Sequence, residues 1–313
     1  MQIKDRIGRH LKLQDLNILM TVAQAGSMGK AAERLNSSQP SVSRSITELE
    51  HSLGVTLFDR HRRGIEPTEH GRALLNCGAA VFDELRQGIQ NIEFLSDPAA
   101  GEVRVGCNPF LAVSFVSVVV NLLSQTHPRI VFRLVTAPSE SLLRELGERN
   151  VDLLIIRKLG PLADKRMSFQ NLFDDSYVIA AGAQSALARR RRLTFAELAG
   201  ESWVLPPPDT VIGAVAQEAF RTHALGYPRT AVVATPLELR ISLLAKGNFL
   251  TILPASALQL PTRRPEIKAL PLELPIARVP NGIVTMTNRA LTPVARSFVE
   301  KCREVAKTLA RAQ

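Results

Sequence analysis

Residues 27–54 read SMGKAAERLNSSQPSVSRSITELEHSLG, a helical pattern with a short polar cluster in its middle. Ser27 is suited to cap a helix over MGKAAERL, and Asn36 then favours a turn. Ser38 caps a second helix with Pro40 in its first turn, where the N–H that proline lacks has no helical partner. The stretch therefore predicts two helices joined by a tight turn.

The second of these helices has one apolar face and one polar face. Its apolar residues are spaced by four, three and four positions, which predicts a buried stripe of Val42, Ile46, Leu49 and Leu53. The polar face and the first turn hold Ser38, Gln39, Pro40, Ser43, Arg44 and Thr47. Glutamine can pair with adenine, serine can bond base edges, and arginine can reach guanine or a phosphate. The pattern is typical of a helix-turn-helix whose second helix enters the major groove of DNA.

The flanking sequence extends this module. Upstream, LKLQDLNILMTVAQAG at residues 11–26 has apolar residues at helical spacing and ends in a glycine, which predicts a further helix. Downstream, VTLFDR and IEPT predict two short strands around a basic wing tip with Arg60, Arg62 and Arg63. Singly, Ser38 could be only a cap, and Arg44 and the wing arginines only solvated charges. The combination of spacing, turn and wing favours a DNA-binding module.

The whole of this module resembles the winged helix-turn-helix of the LysR-type transcriptional regulators, without a gap, and its core SQPSVSRSITELE…LGVTLFDR is specific. The resemblance implies a DNA-binding domain over residues 1–68 that binds double-stranded promoter DNA. It places at DNA-contacting positions Gln39, Ser43, Arg44 and Arg63. Ser37 and Ser41 stand where small apolar residues are usual in the family, which leaves the base preference open.

Residues 69–95 predict one long helix that follows Thr68 as its cap. Along one side, at spacings close to those of a coiled-coil seam, lie Leu74, Gly78, Val81, Leu85, Ile89 and Ile92. This seam could pack on its own chain, but the resemblance implies a linker helix that pairs antiparallel with its twin, in a homodimer or homotetramer. Residues 96–102, SDPAAGE, are predicted to be the hinge between domains.

Strands alternate with helices across residues 103–313, first as βαβαβ, which predicts a parallel sheet covered on both faces, and then in a second series. Two such lobes, with a return of the chain to the first, would enclose a cleft. This part resembles the LysR-type effector domain and its periplasmic-binding-protein fold. The predicted fold class is α/β with an all-α-dominated head: an N-terminal winged helix-turn-helix, a long linker helix, and a C-terminal effector domain of two α/β lobes.

The resemblance places the effector cleft at four turns, which contain Asn108 and Phe110, Thr136 and Ser139, Thr210, Val211 and Ile212, and Thr235 and Leu237. Phe110 departs from the serine or threonine that often binds an effector carboxylate there. Ser139 could instead be only the N-cap of its helix. The segment PPPDTVIGAVAQEAF is similar to the branch that controls sugar or aromatic-acid catabolism, so we expect a sugar or an aromatic or other organic acid as effector.

Composition bounds these expectations. Residues 1–95 hold 12 Lys and Arg against 11 Asp and Glu, whereas the rest of the 313-residue chain holds 27 against 18. The total of +10 therefore does not locate the DNA-binding surface. Three dispersed cysteines support neither a disulfide framework nor a zinc site, and no cofactor is expected. A charged N-terminus, and an apolar run from Phe110 that serines interrupt, predict a cytoplasmic protein without a membrane span.

Two rival functions stay open from the residues: an α/β small-molecule enzyme, or a solute-binding protein, either with an appended DNA-binding head. No GxSxG, Walker A, GxGxxG or HExxH motif is present. Of the six histidines, only His127 and His223 fall in the predicted effector domain, residues 103–313. A regulator is therefore favoured, in which effector binding reorients the lobes, changes the spacing of the reading heads and the bend of promoter DNA, and assists RNA polymerase.

Overall fold

The structure is a computed structural model that describes residues 11–61, 64–158, 160–247, 249–259, 264–274 and 276–310. The chain divides into two compact units, Met1–Ile92 and Glu93–Gln313. The first unit is mainly helical with one hairpin, and the second is α/β.

The elements of the first unit are α1 (Leu13–Ala25), α2 (Met28–Arg34), α3 (Gln39–Leu53), β1 (Phe58–His61), β2 (Gly64–Pro67) and the start of α4 (Glu69–Ser96). The predicted helices and their caps are confirmed. Ser27 Oγ accepts from the Lys30 N–H at 3.2 Å, and Ser38 Oγ accepts from the Ser41 N–H at 3.3 Å. Gly54 closes α3 at φ 72°, a left-handed conformation that favours glycine.

One apolar cluster holds α1, α2 and α3 together. Val42, Ile46 and Leu49 on the inner side of α3 are buried in it, as their spacing predicts. The Glu50 carboxylate accepts hydrogen bonds from the backbone of Leu57 and Phe58, which ties α3 to the hairpin. The outer side of α3 is thereby fixed in orientation.

Helix α4 begins where Thr68 Oγ1 accepts from the Gly71 N–H at 3.0 Å. Its first turns pack on the head cluster through Leu74 and Leu75. Further along, Leu85, Ile89, Ile92 and Leu95 are exposed, from 45% at Leu85 to 82% at Leu95, whereas Phe94 packs against an apolar cluster of the second unit. This half of α4 therefore carries an apolar face that the described part of the chain does not cover.

The elements of the second unit, in chain order, are β3 (Ala100–Cys107), α5 (Pro109–Thr126, with a π-helical turn at Ala112–Val116), β4 (Arg129–Thr136), α6 (Ser139–Gly147), β5 (Leu153–Arg157), β6 (Met167–Asp175), β7 (Tyr177–Gly182), α7 (Phe195–Ala199), β8 (Trp203–Leu205), α8 (Val211–Thr222), β9 (Thr230–Val233), α9 (Leu237–Ala245), β10 (Leu250–Pro254), α10 (Ser256–Gln259), β11 (Ile267–Ala269), β12 (Val279–Met286) and α11 (Pro293–Ala310). They form two lobes. Lobe I contains the sheet β4-β3-β5-β12-β6, and lobe II contains the sheet β11-β7-β10-β8-β9.

Both sheets are mixed. The parallel pairing predicted for the βαβαβ series is confirmed for β3, β4 and β5, and other strands of each lobe add antiparallel pairs. Strand β3 pairs in parallel with β4 and β5, but β12 is antiparallel to both β5 and β6. In lobe II, β7 is antiparallel to β10 and β11. The reason is that β7 and β12 arrive from the other lobe, so no helical crossover forces them to run parallel to their neighbours.

Two further differences concern β6 and β4. Strand β6 has no counterpart in the sequence analysis, because MSFQNLFDD is rich in polar residues and lacks a strong strand pattern. Strand β4 is mostly exposed, with Ile130 as its buried residue, so it is not covered on both faces. Because β4 lies at the edge of the sheet, it can form its hydrogen bonds to β3 without a layer of side chains covering both of its faces.

Helix α5 is apolar and long enough to cross a membrane by length and composition alone. Its side chains Leu111, Phe115, Val119 and Leu123 are buried in the lobe I core. One face of α5 therefore packs on the lobe I core.

The chain passes between the lobes twice. It enters lobe II at Ser176, between β6 and β7, and returns between β11 and β12. These two crossings bound the region in which the lobes meet.

Candidate DNA-reading helix and effector cleft

The outer side of α3 presents free polar groups. Gln39 and Arg44 are exposed, and Ser43 is half-buried. Among the described residues, their side chains take part in no hydrogen bond or ion pair. By contrast, the hydroxyl of Ser38 caps the helix, and the hydroxyl of Thr47 donates to the Ser43 carbonyl at 2.9 Å. The structure thus separates predicted contact residues with free side chains from those that serve the helix itself.

The wing is the β1–β2 hairpin. The Ile65 N–H donates to the Gly26 carbonyl at 3.0 Å, which fixes the hairpin against the junction of α1 and α2. Arg60 is exposed on β1. Arg62 and Arg63, also predicted as DNA contacts, lie outside the described residues.

In lobe I, the structure joins two of the predicted effector turns. The Asn108 amide, just after β3, donates to Ser139 Oγ at 3.2 Å, and its oxygen accepts from the Arg157 N–H at 3.0 Å. The N-cap of α6 is Pro138, so the alternative that Ser139 is only the N-cap is wrong. Thr136 is exposed at the end of β4.

Phe110 lies between the lobes. Its ring packs against the main core of lobe I and also against the lobe II cluster around Ala180 and Ala257. Beside it is a mostly apolar cavity of about 210 Å³ lined by Pro109, Phe110, Val113, Ser114, Pro236, Leu237, Glu238, Ala257 and Arg264. The structure thus brings Phe110 and Leu237 to one interlobe pocket, with a Glu238–Arg264 ion pair of 2.9 Å in its lining.

The remaining predicted cleft residues lie on lobe II. Thr210 Oγ1 caps α8 by accepting from the Gly213 N–H at 3.2 Å. Val211 is 40% exposed, whereas Ile212 packs against the lobe II core. Thr235 is exposed after β9. No hydrogen bond within the described chain joins these residues to Asn108 or Ser139.

Arg157, at the end of β5, is a central cleft residue that the sequence reasoning missed. Its guanidinium pairs with Asp175 at 3.2 Å and donates to the Tyr177 hydroxyl. It also lies 5.9 Å from the ring centre of Phe110 and 4.9 Å from that of Tyr177. The signal that could have found it is the arginine that ends the otherwise apolar strand LLIIR.

Arg157 also lines a second cavity, of about 490 Å³, between the start of α6 and the segment after β5. Ser139, Glu140 and Lys158 line it as well. Two cationic residues, a serine and a glutamate therefore line this cavity.

Asp175 connects Arg157 to lobe II. It is fully buried, and its carboxylate accepts from Ser256 Oγ at 2.6 Å and from the Ser256 N–H at 3.1 Å. Burial raises the pKa of Asp175, while the Ser256 hydrogen bonds and the Arg157 charge oppose that rise. Burial also raises the pKa of Tyr177, on the other side of the crossing.

A metal centre finds no support in the part of the chain that the structure describes. No group of three or more His, Cys, Asp or Glu side chains is placed there to hold a metal ion.

A helix-turn-helix head joined to a two-lobed α/β domain with an interlobe cavity defines a DNA-binding regulator with a ligand-binding domain. Residues 13–72 match the family model described as bacterial regulatory helix-turn-helix protein, lysR family. Residues 96–307 match the LysR substrate binding domain. The chain therefore belongs to the LysR family of DNA-binding transcriptional regulators, which confirms the resemblance. Because its relatives are regulators and not enzymes, the enzyme alternative is wrong.

Curated relatives align over nearly the whole chain. The regulator GbpR of Azospirillum brasilense is 24% identical over 302 residues, which cover 96% of this chain and 88% of GbpR. The regulator TfdS of Cupriavidus pinatubonensis (strain JMP 134 / LMG 1197) is 27% identical over 300 residues, which cover 94% of this chain and 98% of TfdS. The likeness thus includes both the head and the effector domain.

Solved structures show the same fold. A full-length OxyR variant from Pseudomonas aeruginosa aligns with a TM-score of 0.66 at 21% identity, over 96% of this chain and 95% of OxyR. Full-length CbnR, complexed with its target DNA, aligns with a TM-score of 0.52 at 23% identity, over 95% of this chain and all of CbnR. The predicted fold class is confirmed.

Proposed function

We propose that this LysR-family regulator is cytoplasmic, binds double-stranded promoter DNA as a homodimer or homotetramer, and changes its action on that DNA when a small effector occupies the cleft. The observation that carries the proposal is the outer side of α3, where Gln39 and Arg44 are exposed and unpaired among the described residues. Free amide and guanidinium groups at the start of a recognition helix suit readout of base edges in the major groove.

The head is assigned to residues 1–68, the linker and dimerisation helix to 69–95, and the effector domain to 103–313. The hinge is assigned to 96–102, of which residues 97–99 lie between α4 and β3 and residues 100–102 already belong to β3. On the head, base readout is assigned to Gln39, Ser43 and Arg44, support of the helix start to Ser38 and Pro40, and support of the helix middle to Thr47. Phosphate or minor-groove contact is assigned to Arg60, Arg62 and Arg63 of the wing.

Assembly into a dimer is supported by the exposed apolar face of α4. Ile89 and Ile92 on this face are 58% and 66% exposed, and Leu95 is 82% exposed. A second copy running antiparallel would cover them. The exposed apolar residues Val131, Leu134 and Val135 on edge strand β4 offer a second surface, which would extend a dimer to a tetramer.

The cleft favours an aromatic or other organic acid over a sugar as effector. Phe110 and Leu237 supply apolar walls, whereas Arg157 and Lys158 supply positive charge beside Ser139. A sugar would need several polar partners, and the apolar pocket has few. A change of lobe angle on binding would alter the bend of the promoter and its access for RNA polymerase.

The DNA assignment is tested by operator binding of Arg44→Ala and Gln39→Ala, on a site selected from random duplexes by the wild-type chain. Each variant is expected to lose about 1–3 kcal/mol of binding free energy, roughly 5- to 150-fold in affinity. Arg221→Ala, which removes an exposed arginine paired with Glu218 in lobe II, is the charge-matched control and should stay within about twofold. Equal losses in all three variants would contradict base readout by α3.

The effector class is tested by thermal shift of the full chain with aromatic acids and with sugars. A ligand that binds only the folded state raises the melting temperature in a saturable way. The proposal expects saturable shifts with acids. If only sugars raise the melting temperature, the acid assignment is wrong.

A further inference from the structure

A polar network crosses the boundary between the lobes beside the first chain crossing. Asp175 and Tyr177 flank Ser176, where the chain leaves lobe I. Arg157 of lobe I contacts both of them. Ser256 of lobe II holds the Asp175 carboxylate through its backbone N–H and its hydroxyl. Arg157, Asp175 and Ser256 therefore form a chain of contacts across the lobes, here called the interlobe clasp.

The clasp depends on a buried charge pair. The side chain of Asp175 is fully buried, and that of Arg157 is 13% exposed. A buried carboxylate that loses its cation is strongly disfavoured, so the surroundings must change until it is hydrated, protonated or paired again. Removing the Arg157 charge should therefore weaken the hold of Asp175 on Ser256.

Arg157 is also a residue of the cavity wall. It lines the 490 Å³ cavity together with Ser139 and Lys158. The Lys158 ammonium lies 5.0 Å from the ring centre of Phe169. Glu140 also lines this cavity, but it is exposed, so its charge is screened by water. Two cationic residues therefore line this cavity, and one of them, Arg157, also belongs to the clasp.

We propose that Arg157 is the charge sensor of the cleft: a carboxylate effector binds its guanidinium in competition with Asp175 and thereby loosens the interlobe clasp. The inference rests on the proposed effector function. It assigns the effector carboxylate to Arg157 and Lys158, and it makes the hold of Asp175 on Ser256 the element that ligand binding changes. The Phe110 ring beside Arg157 would lie against the apolar body of such an acid.

The clasp is tested in the full chain with Asp175→Asn, which keeps the shape of the side chain and removes its charge. The matched control is Asp152→Asn, since Asp152 is also buried but pairs with Arg104 and Arg289 inside lobe I. Amide hydrogen exchange of the peptide that contains Ser256 is expected to be at least about tenfold faster in Asp175→Asn and unchanged in Asp152→Asn. Similar exchange in the two variants would overturn the clasp.

Should Asp175→Asn fold poorly, Ser256→Ala provides the milder test. It removes the hydroxyl donor and leaves the ion pair in place. Its operator affinity without effector is expected to change severalfold in the same direction as that of Arg157→Met. Operator affinity equal to that of the wild type in both variants would show that the contacts only stabilise the fold.

The ligand arm uses benzoate as the anionic probe and benzamide as its uncharged counterpart of the same shape. Benzoate is expected to raise the melting temperature of the wild type and to accelerate exchange at Ser256, whereas benzamide and the Arg157→Met variant should show neither effect. A response to benzoate that persists in Arg157→Met, or no response to benzoate at all, would overturn charge sensing. Operator binding by the wild type is measured in parallel, because its absence would instead defeat the proposed function.

Discussion

Arg44 on the reading helix and Arg157 at the end of β5 both face the place where we assign a partner, but their surroundings are opposite. Arg44 is exposed and, among the described residues, takes part in no ion pair or hydrogen bond. Arg157 has Asp175, Tyr177 and Asn281 as partners and lies against the Phe110 ring. The head thus offers groups that are ready to bind, whereas the cleft offers groups that must first give up partners.

This difference predicts different costs of binding. A free side chain on a rigid helix gains contacts on binding and gives up only water and mobility. A ligand that binds Arg157 must replace contacts that already exist, so its binding energy is coupled to a change in the protein. Mutations in the head should therefore weaken or abolish DNA binding. Mutations in the cleft should instead change the conformation of the effector domain.

The largest expected effect comes from the buried side of α3, which packs on the apolar cluster of the head. Ile46 is fully buried in the head cluster. Ile46→Ala should cost about 2–5 kcal/mol of the head's unfolding free energy and remove operator binding. Far-UV circular dichroism should show an earlier transition, while the fluorescence of Trp203, buried in lobe II, should keep its midpoint.

Leu13→Ala is the control for that variant, because Leu13 lies on α1 of the same unit but is 48% exposed. It should change the unfolding free energy by less than about 0.5 kcal/mol. If Ile46→Ala still bound the operator, the polar side of α3 would not need the packing of its buried side. The contrast between a rigid head and a cleft that changes on binding would then be wrong.

Asn108→Ala tests whether the cleft groups are as fully engaged as their contacts indicate. The Asn108 side chain bonds Ser139 Oγ, the Ala137 carbonyl and the Arg157 N–H. Its loss leaves these half-buried groups without a partner and should cost about 1–3 kcal/mol, seen as a lower denaturant midpoint by circular dichroism. Asn150→Ala is the control, because Asn150 is exposed and its amide bonds the carboxylates of Glu145 and Glu148 at the surface, so its loss should cost less than about 0.5 kcal/mol. Equal denaturant midpoints for the two variants would show that the hydrogen bonds of Asn108 do not stabilise the cleft.

The same contrast explains how much the sequence could reveal. The head was predictable because its signals are local: Ser27 and Ser38 cap the helices that follow them, and Gly54 stands where α3 stops. The family resemblance then supplied the proposed DNA-contacting roles of Gln39 and Arg44.

The cleft was only partly predictable because its contacts join distant positions. Asn108 and Ser139 were both proposed as cleft residues, but their mutual hydrogen bond spans 31 positions. Arg157 bonds Asp175 at 18 positions and Asn281 at 124, and no spacing rule links such residues. Strand β6, which carries Asp175, was itself missed. Polar networks between distant strands are set by the topology, and the mixed pairing of β12 was not predicted.

A third arginine, Arg240, extends the comparison, with a smaller expected change in unfolding free energy. Arg240 is buried in lobe II and bonds Thr251 Oγ1 and the Ile252 carbonyl, but its Nε has no partner in the described structure. Burial lowers its pKa to about 10, so it stays charged at neutral pH. Arg240→Met should leave the unfolding free energy unchanged or raise it by about 1 kcal/mol, because a buried charge becomes apolar volume.

Arg157→Met should instead lower the unfolding free energy, because it leaves the Asp175 carboxylate buried without its cation. Both variants are compared by denaturant unfolding followed through Trp203 fluorescence. A loss of stability in Arg240→Met as large as in Arg157→Met would mean that Arg240 pairs with an anion that the described contacts do not contain.

The smallest expected effect concerns the thiols, which test how closed the core behind the cleft is. Cys107 and Cys302 are fully buried in lobe I, whereas Cys77 is exposed on α4. Burial raises the pKa of Cys107 to about 11 and also raises that of Cys302, so about one Cys107 thiol in a thousand is ionised at pH 8. Because the thiolate is the reactive form, the native chain should release one equivalent of thionitrobenzoate rapidly from a disulfide reagent, and three after unfolding. A second rapid equivalent in the native chain would show that lobe I opens readily. The hydrogen bonds around Asn108 and Arg157 would then not hold the lobe closed.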